Sequence, residues 1–222
     1  MLSTIFASAL LALTASPIPV RSQADIHNVT GLAGTWSSGS GAVQTGAGFA
    51  NPVNFSFTYP KNTGISWSFT DTGFFEQAEY QFRSNGSEPS CITGVVLFQH
   101  GTYQFLDNGS IIATPFAPDG RIQVQDPCAA QSNTITQFNT SVLFSSWRIF
   151  QDPTRGPKLQ LYRFDGAPLT PQFLVALPPN MLPTQVLTPN NQSAAVAKLR
   201  KLTFIVLGTV AGGAIGALML VL

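Results

Sequence analysis

Seven short stretches of this chain alternate apolar and polar side chains with a period of two. They are Phe55-Ser-Phe57-Thr-Tyr59, Ile65-Ser-Trp67-Ser-Phe69, Ala78-Glu-Tyr80-Gln-Phe82, Tyr103-Gln-Phe105, Ile122-Gln-Val124, Trp147-Arg-Ile149 and Leu159-Gln-Leu161. Successive side chains of a pleated strand point to opposite faces, so this pattern gathers the apolar residues on one side of a sheet. Val95-Val96-Leu97-Phe98 is a continuous apolar run and reads as a strand buried on both faces. Asp107-Asn108-Gly109, Asp119-Gly120 and Asp165-Gly166 stand between the runs. Their residues tolerate positive φ, which marks them as hairpin turns. No amphipathic helical pattern occurs before residue 190. The fold class is therefore all-β, an antiparallel meander closed as a barrel or packed as a sandwich.

Gly34-Thr-Trp36 opens the first expected strand. A Gly-x-Trp at that place resembles the up-and-down, lipocalin-like barrel, which implies a tryptophan plugging one barrel end under an arginine from a late strand. Trp36 and Arg148 are the candidates for that pair. Ser37-Ser-Gly39-Ser-Gly41, followed by Gly46 and Gly48, is too flexible for a strand interior and reads as a long loop over the barrel mouth. It has no Gly-Lys-Ser/Thr ending, so a phosphate loop is not indicated. His100, beside a glycine at the end of an apolar run, reads as a turn residue. Pro168, Pro171, Pro178, Pro179, Pro183 and Pro189 leave room only for one last edge strand, Phe173-Leu-Val-Ala-Leu177. After it the chain reads as a stalk, stiff near Pro178-Pro179.

The ends of the chain assign a compartment. Met1 to Ser16 is short and apolar, and Ser22-Gln23-Ala24 offers a small-x-small cleavage pattern, so residues 1–24 read as a signal peptide. Residues 25–177 then form a lumenal β domain and 178–201 a proline-containing stalk. Leu202 to Leu222 carries no charge and follows Lys198, Arg200 and Lys201. A helix of that length rises roughly 30 Å, about one hydrocarbon core. The tail reads as a transmembrane helix or as the signal for a glycolipid anchor. Gly208, Gly212 and Gly216 have the four-residue spacing that lets two helices approach and self-associate. Asn28, Asn54, Asn85, Asn108, Asn139 and Asn191 each head an Asn-x-Ser/Thr glycosylation signal. Cys91 and Cys128 are the only cysteines. In an oxidising compartment their simplest outcome is one disulfide.

Composition removes other classes. Net charge is +1 and only 9% of residues are charged, with no basic stripe outside the cluster at 198–201, so nucleic acid is not an indicated partner. Two histidines and two cysteines are too few for the usual zinc sites. Glu76 and Glu79 share a strand but have opposite parity, and Asp152 and Asp165 sit beside Pro153 and Gly166 as turn residues do. Neither a nucleophile, base and orienter nor a facing pair of carboxylates emerges. The expectation is a non-enzyme without cofactor or metal.

Several segments together resemble the fungal Rot family (Reversal Of Tor lethality), membrane proteins of the endoplasmic reticulum. They are Gly31-Leu-Ala-Gly-Thr-Trp36-Ser-Ser-Gly-Ser40, Gly48-Phe-Ala-Asn-Pro52, Gly64-Ile-Ser-Trp-Ser-Phe69, Phe98-Gln-His-Gly-Thr-Tyr103, Asp126-Pro-Cys128, Trp147-Arg-Ile-Phe150 and Leu159-Gln-Leu-Tyr-Arg-Phe164-Asp-Gly166. The resemblance spans about Asp25 to Pro178. It implies a chaperone-like role in folding secretory and cell-wall proteins, with normal β-1,6-glucan depending on the enzymes so matured. It carries over no catalytic residues, and Cys91 and Cys128 fit the disulfide it implies. The chain departs from the family pattern in having no residues beyond the apolar tail, so the anchor stays open between helix and lipid. Maturing secretory proteins are the expected partners, with other lumenal chaperones beside them. The alternatives are a calycin-type module holding a lipid or glycan, and a lipid-anchored cell-wall protein or glucan enzyme.

Overall fold

The computed structural model describes residues 31–188. These form twelve strands: β1 (Gly34–Ser38), β2 (Ala50–Asn51), β3 (Ser56–Phe57), β4 (Gly64–Phe69), β5 (Phe74–Arg83), β6 (Thr93–Phe105), β7 (Ile111–Pro115), β8 (Arg121–Gln125), β9 (Asn133–Gln137), β10 (Val142–Asp152), β11 (Gly156–Arg163) and β12 (Gln172–Ala176). The described residues contain no helix, and so none long and apolar enough to cross a membrane. The expected signal and membrane segments, with Asn28, Asn191, Gly208, Gly212 and Gly216, lie outside them.

Antiparallel ladders run β1–β4–β5–β6–β7–β10–β11–β12 and return from β12 to β1. They trace a barrel-like ring of the up-and-down kind, closed unevenly. β5 and β6 share ten paired positions, whereas β11 and β12 share only two. β6 is long enough to hold two partners on one edge. Its Gly101–Phe105 part pairs with β7 and its Gly94–Phe98 part with β8, which carries β9 on its far side. β8 and β9 thus form a flap that continues the wall below β7.

Alternation builds the interior as expected. Trp36, Trp67, Phe69, Phe75, Tyr103, Ile111, Phe144, Ile149, Leu159 and Leu161 point inward and are buried. Trp67 stacks on Phe75 with centroids 5.7 Å apart and meets Phe144 edge-on at 5.0 Å. Each buried aromatic of this size removes about 150–250 Å² from water, which makes this cluster the main source of stability.

A second layer covers the outside of the same strands. Thr35, Ser66, Ser68, Glu76, Ala78, Phe98 and His100 have outward parity, yet all are buried. The segment 39–62, with the small β2–β3 hairpin, and the segment 178–188 lie over them. Val43, Phe49 and Leu182 pack on Ala78, Val96 and Phe98. Asn180 is bonded through its N–H to Thr35 Oγ1 and through its side chain to the Thr45 carbonyl, both at 2.7 Å. Val95–Phe98 is accordingly buried on both faces.

This layer corrects several expectations. The stretch from Phe55 to Tyr59 supplies only the two residues of β3, because Phe55 turns back with φ 53° and stacks its ring on the Arg121 guanidinium at 3.9 Å. The glycine-rich loop lies on the outer wall and not across a mouth. Residues 178–188, expected as the start of a stalk, pack on the domain, with the N–H groups of Asn180, Leu182, Leu187 and Thr188 bonded to it. β12 is no edge strand; it pairs with both β1 and β11. Pro168, Pro171 and Pro178 flank it and leave its own N–H groups free to pair. Asp119-Gly120 joins β7 to β8, which lie end to end on β6 and do not form a hairpin. His100 sits within β6, not in a turn. Asp107-Asn108-Gly109 and Asp165-Gly166 turn as read, with Gly109 and Gly166 at φ 81°.

Candidate functional site

The ring is open where β11 stops short. β11 ends at Arg163, opposite Phe144 of β10, and the chain then turns at Asp165-Gly166 toward β12. A cavity of about 400 Å³ lies there. Ile65, Trp67, Val142, Phe144 and Leu169 give it apolar walls. Phe164 and Leu143 stand at its rim, 68% and 39% exposed. These two open side chains carry the apolar lining of the cavity out to the solvent.

The polar side of the cavity includes Gln77, Glu79, Thr140 and Ser141, and Gln99 links Gln77 to Thr140. Gln99 Nε2 donates to the Thr140 carbonyl at 3.1 Å and to Gln77 Oε1 at 2.8 Å, and Gln77 Nε2 donates to Glu79 Oε2 at 3.3 Å. Burial raises the Glu79 pKa, opposed by the Gln77 hydrogen bond and by the positive charge of Arg83. Glu79 faces inward with Gln77 in the lining, and Glu76 faces the outer layer, as their parity requires. Two carboxylates on opposite sides of a sheet cannot share a reacting bond. The cavity offers apolar walls and amide partners, a chemistry of contact.

The second titratable cluster lies in the outer layer. Glu76 accepts N–H bonds from Leu182 at 2.7 Å and from Gly46. Burial lifts its pKa to about 7 against those two bonds. Asp119 accepts from Leu187 N–H at 2.7 Å and Thr188 N–H at 2.6 Å, and its Oδ2 meets His100 Nε2 at 2.8 Å. Burial would raise the Asp119 pKa, but these hydrogen bonds outweigh it and hold the pKa below its usual value. Burial lowers the His100 pKa, with Asp119 pulling the other way. This cluster fastens the segment 178–188 and exposes no reactive atom. Sequence reasoning missed it, although Glu76 shares the parity of Ala78 and Tyr80, an acid in an apolar row.

Cys91 and Cys128 form a disulfide, S–S 2.01 Å, that ties the loop before β6 to the loop after β8. Glu88 lies beside both sulfurs, but bonded sulfurs offer no thiolate to a metal. Asn54, Asn85, Asn108 and Asn139 are all exposed. Trp36 is fully buried, and its indole N–H donates to the Leu32 carbonyl at 2.8 Å. Arg148 is exposed on β10, with β11 and β12 between it and β1, so the structure does not bring the two together.

A family model described as Rot1, a fungal chaperone for protein folding within the ER, matches residues 32–208. The chain belongs to the Rot1 family. Its curated Rot1 relatives are spread across fungi. Protein rot1 of Sclerotinia sclerotiorum is 41% identical over 202 residues, covering 90% of this chain and 74% of that protein. Protein ROT1 of Yarrowia lipolytica is 42% identical over 198 residues, 87% and 78% of the two chains. Protein rot1 of Schizosaccharomyces pombe is 43% identical over 166 residues, 74% and 72%. No solved structure matches the chain. The Rot1 description is that of a chaperone and not of an enzyme.

Proposed function

We propose that this chain is an endoplasmic-reticulum chaperone that holds apolar segments of maturing secretory and cell-wall proteins at the open end of its barrel. The observation that carries this reading is the cavity of about 400 Å³ with Phe164 and Leu143 exposed at its rim. An apolar surface of this kind takes up the side chains that an incompletely folded protein has not yet buried, by the same area-dependent effect that drives folding. In the same reading the domain is lumenal, glycosylated at exposed asparagines such as Asn54 and Asn85, and held by the apolar tail 202–222. Its effect on β-1,6-glucan is indirect, through the enzymes it helps to mature.

The test is aggregation of a chemically denatured client diluted into the purified full chain, read by light scattering. The wild type delays aggregation, and Phe164→Ser shortens the delay while the thermal midpoint stays within a few degrees. Equal delay by both proteins would remove the mouth from the mechanism. No delay at molar excess would remove direct client binding.

A further inference from the structure

Among the described residues, β9 is the one strand of the ten-stranded sheet with a neighbour on one side alone. Phe138 N–H donates to the Gly120 carbonyl at 3.0 Å and Asp126 N–H to the Ser132 carbonyl at 2.9 Å, so the even-numbered residues of β9 carry the ladder to β8. In an antiparallel pair the alternate residues turn their backbone groups the other way. Asn133, Ile135 and Gln137 therefore direct N–H and C=O away from the sheet, and these groups have no backbone partner among the described residues. Natural edge strands are shielded by lysine, proline, a bulge or a covering segment. β9 is Asn-Thr-Ile-Thr-Gln, without charge or proline, and its register with β8 is unbroken.

The register shows what this edge adjoins. β9 and β10 both run parallel to β6, joined through residues 138–141. Beside β10 lies β11, which ends at Arg163 opposite Phe144. A strand added to β9 would take the course that β11 would follow if it went on. It would pass Thr140 and Ser141, which line the apolar cavity facing Phe164 and Leu169.

We infer that β9 is a strand-addition site for an extended, unfolded polypeptide segment, which completes the barrel wall and turns alternate side chains into the cavity. This rests on the chaperone reading and specifies how that function recognises its client. Paired donors and acceptors recurring every second residue, about 7 Å apart, match another extended backbone and no small ligand. Main-chain recognition makes no demand on client sequence, and the cavity asks only for apolar side chains at alternate positions.

The experiment uses the full chain in mild detergent and a fluorescent ten-residue peptide of alternating valine and threonine. Binding is read by anisotropy and by amide hydrogen exchange over residues 133–137. The wild type binds and its 133–137 amides become protected. Binding falls about tenfold for a peptide N-methylated on alternate residues and for Ile135→Pro. Proline at 135 removes an outward N–H and leaves the ladder to β8 intact. If Ile135→Pro loses the wild-type circular dichroism, Asn133→Pro replaces it under the same criteria. Undiminished binding by the folded proline variant, or protection confined to the cavity, overturns the inference. So does protection that appears without peptide and grows with protein concentration, which would place a second copy of the chain on the edge. If the proline variant still delays client aggregation as the wild type does, strand addition alone fails. If the wild type delays nothing, the chaperone reading fails with it.

Discussion

Leu182 N–H donates to Glu76 Oε2 at 2.7 Å across 106 residues of sequence. The bond fastens the chain that follows β12 onto the outer wall of β5. Because Glu76 is buried, its pKa rises on folding from 4.5 to about 7. An acid whose pKa rises on folding binds more protons in the folded state, so its contribution is fully present below pH 4.5 and is lost as pH climbs through 7. The shift corresponds to about 3 kcal/mol. Glu76→Gln removes this titration. Measured by urea unfolding, the stability of the wild type relative to Glu76→Gln falls by about 2–3 kcal/mol between pH 4.5 and pH 7.5. A constant difference across that range would show that the carboxyl does not titrate there.

His100 responds in the opposite direction. Its pKa is lowered in the fold, chiefly by burial. The folded chain binds a proton at this ring less readily than the unfolded chain, which takes one up below about pH 6.5. Stability from this group is complete above that pH and declines below it, by at most about 1.4 kcal/mol per pH unit. His100→Gln keeps a donor for Asp119 and cannot charge. Between pH 7 and pH 5.5 it loses less stability than the wild type. In the wild type the His100 ring-proton signal titrates with a midpoint below 6.5, and a midpoint at or above 6.5 would refute the assignment.

What could be read from the sequence was the parity of single strands. Trp67 and Phe69 face the interior because alternation in β4 demands it, and the same rule puts Leu159 and Leu161 there from β11. Parity says which residues share a face, but it does not say whether that face is wet. Ala78, Val96 and Phe98 lie in apolar rows yet form core of the outer layer, under Phe49 and Leu182, with Tyr80 half-buried against them. His100 seemed a turn residue because Gly101 follows it. That glycine is required for another reason: a Cβ there would come within 2.1 Å of the Thr114 carbonyl oxygen on β7. The cavity was illegible because it depends on where β11 stops relative to β10, a matter of register between strands that no local pattern states. The family resemblance rested on ordered short segments, and the match over residues 32–208 bears it out.

The disulfide between Cys91 and Cys128 spans 37 residues and clamps the base of β6 to the end of β8. Closing a loop of this size restrains the unfolded chain, an effect worth about 2–4 kcal/mol. The double variant Cys91→Ser with Cys128→Ser loses that much stability in urea unfolding. Because the bridge borders the β8–β9 flap, amide exchange in residues 121–137 accelerates more than in β10 and β11. Uniform acceleration would mean that the bridge acts only on the unfolded chain.

Gly120 is where the two halves of the wall meet. A Cβ on this residue would stand 1.9 Å from the Phe138 carbonyl oxygen, and Phe138 N–H in turn donates to the Gly120 carbonyl at 3.0 Å. The close approach lets β9 turn into β10 while β7 turns into β8. It also places Asp119 beside His100 and beneath the N–H groups of Leu187 and Thr188. Both contacts at Gly120 are backbone, so no side-chain rotation relieves an added methyl group. Gly120→Ala therefore costs about 1–3 kcal/mol, at the upper end because the strand itself must move. Moving that strand also draws Asp119 from its partners, so limited proteolysis releases residues 178–188 sooner than in the wild type. A Gly120→Ala protein with unchanged thermal midpoint and unchanged cleavage would show that the β7–β8 and β9–β10 junctions are not packed backbone to backbone.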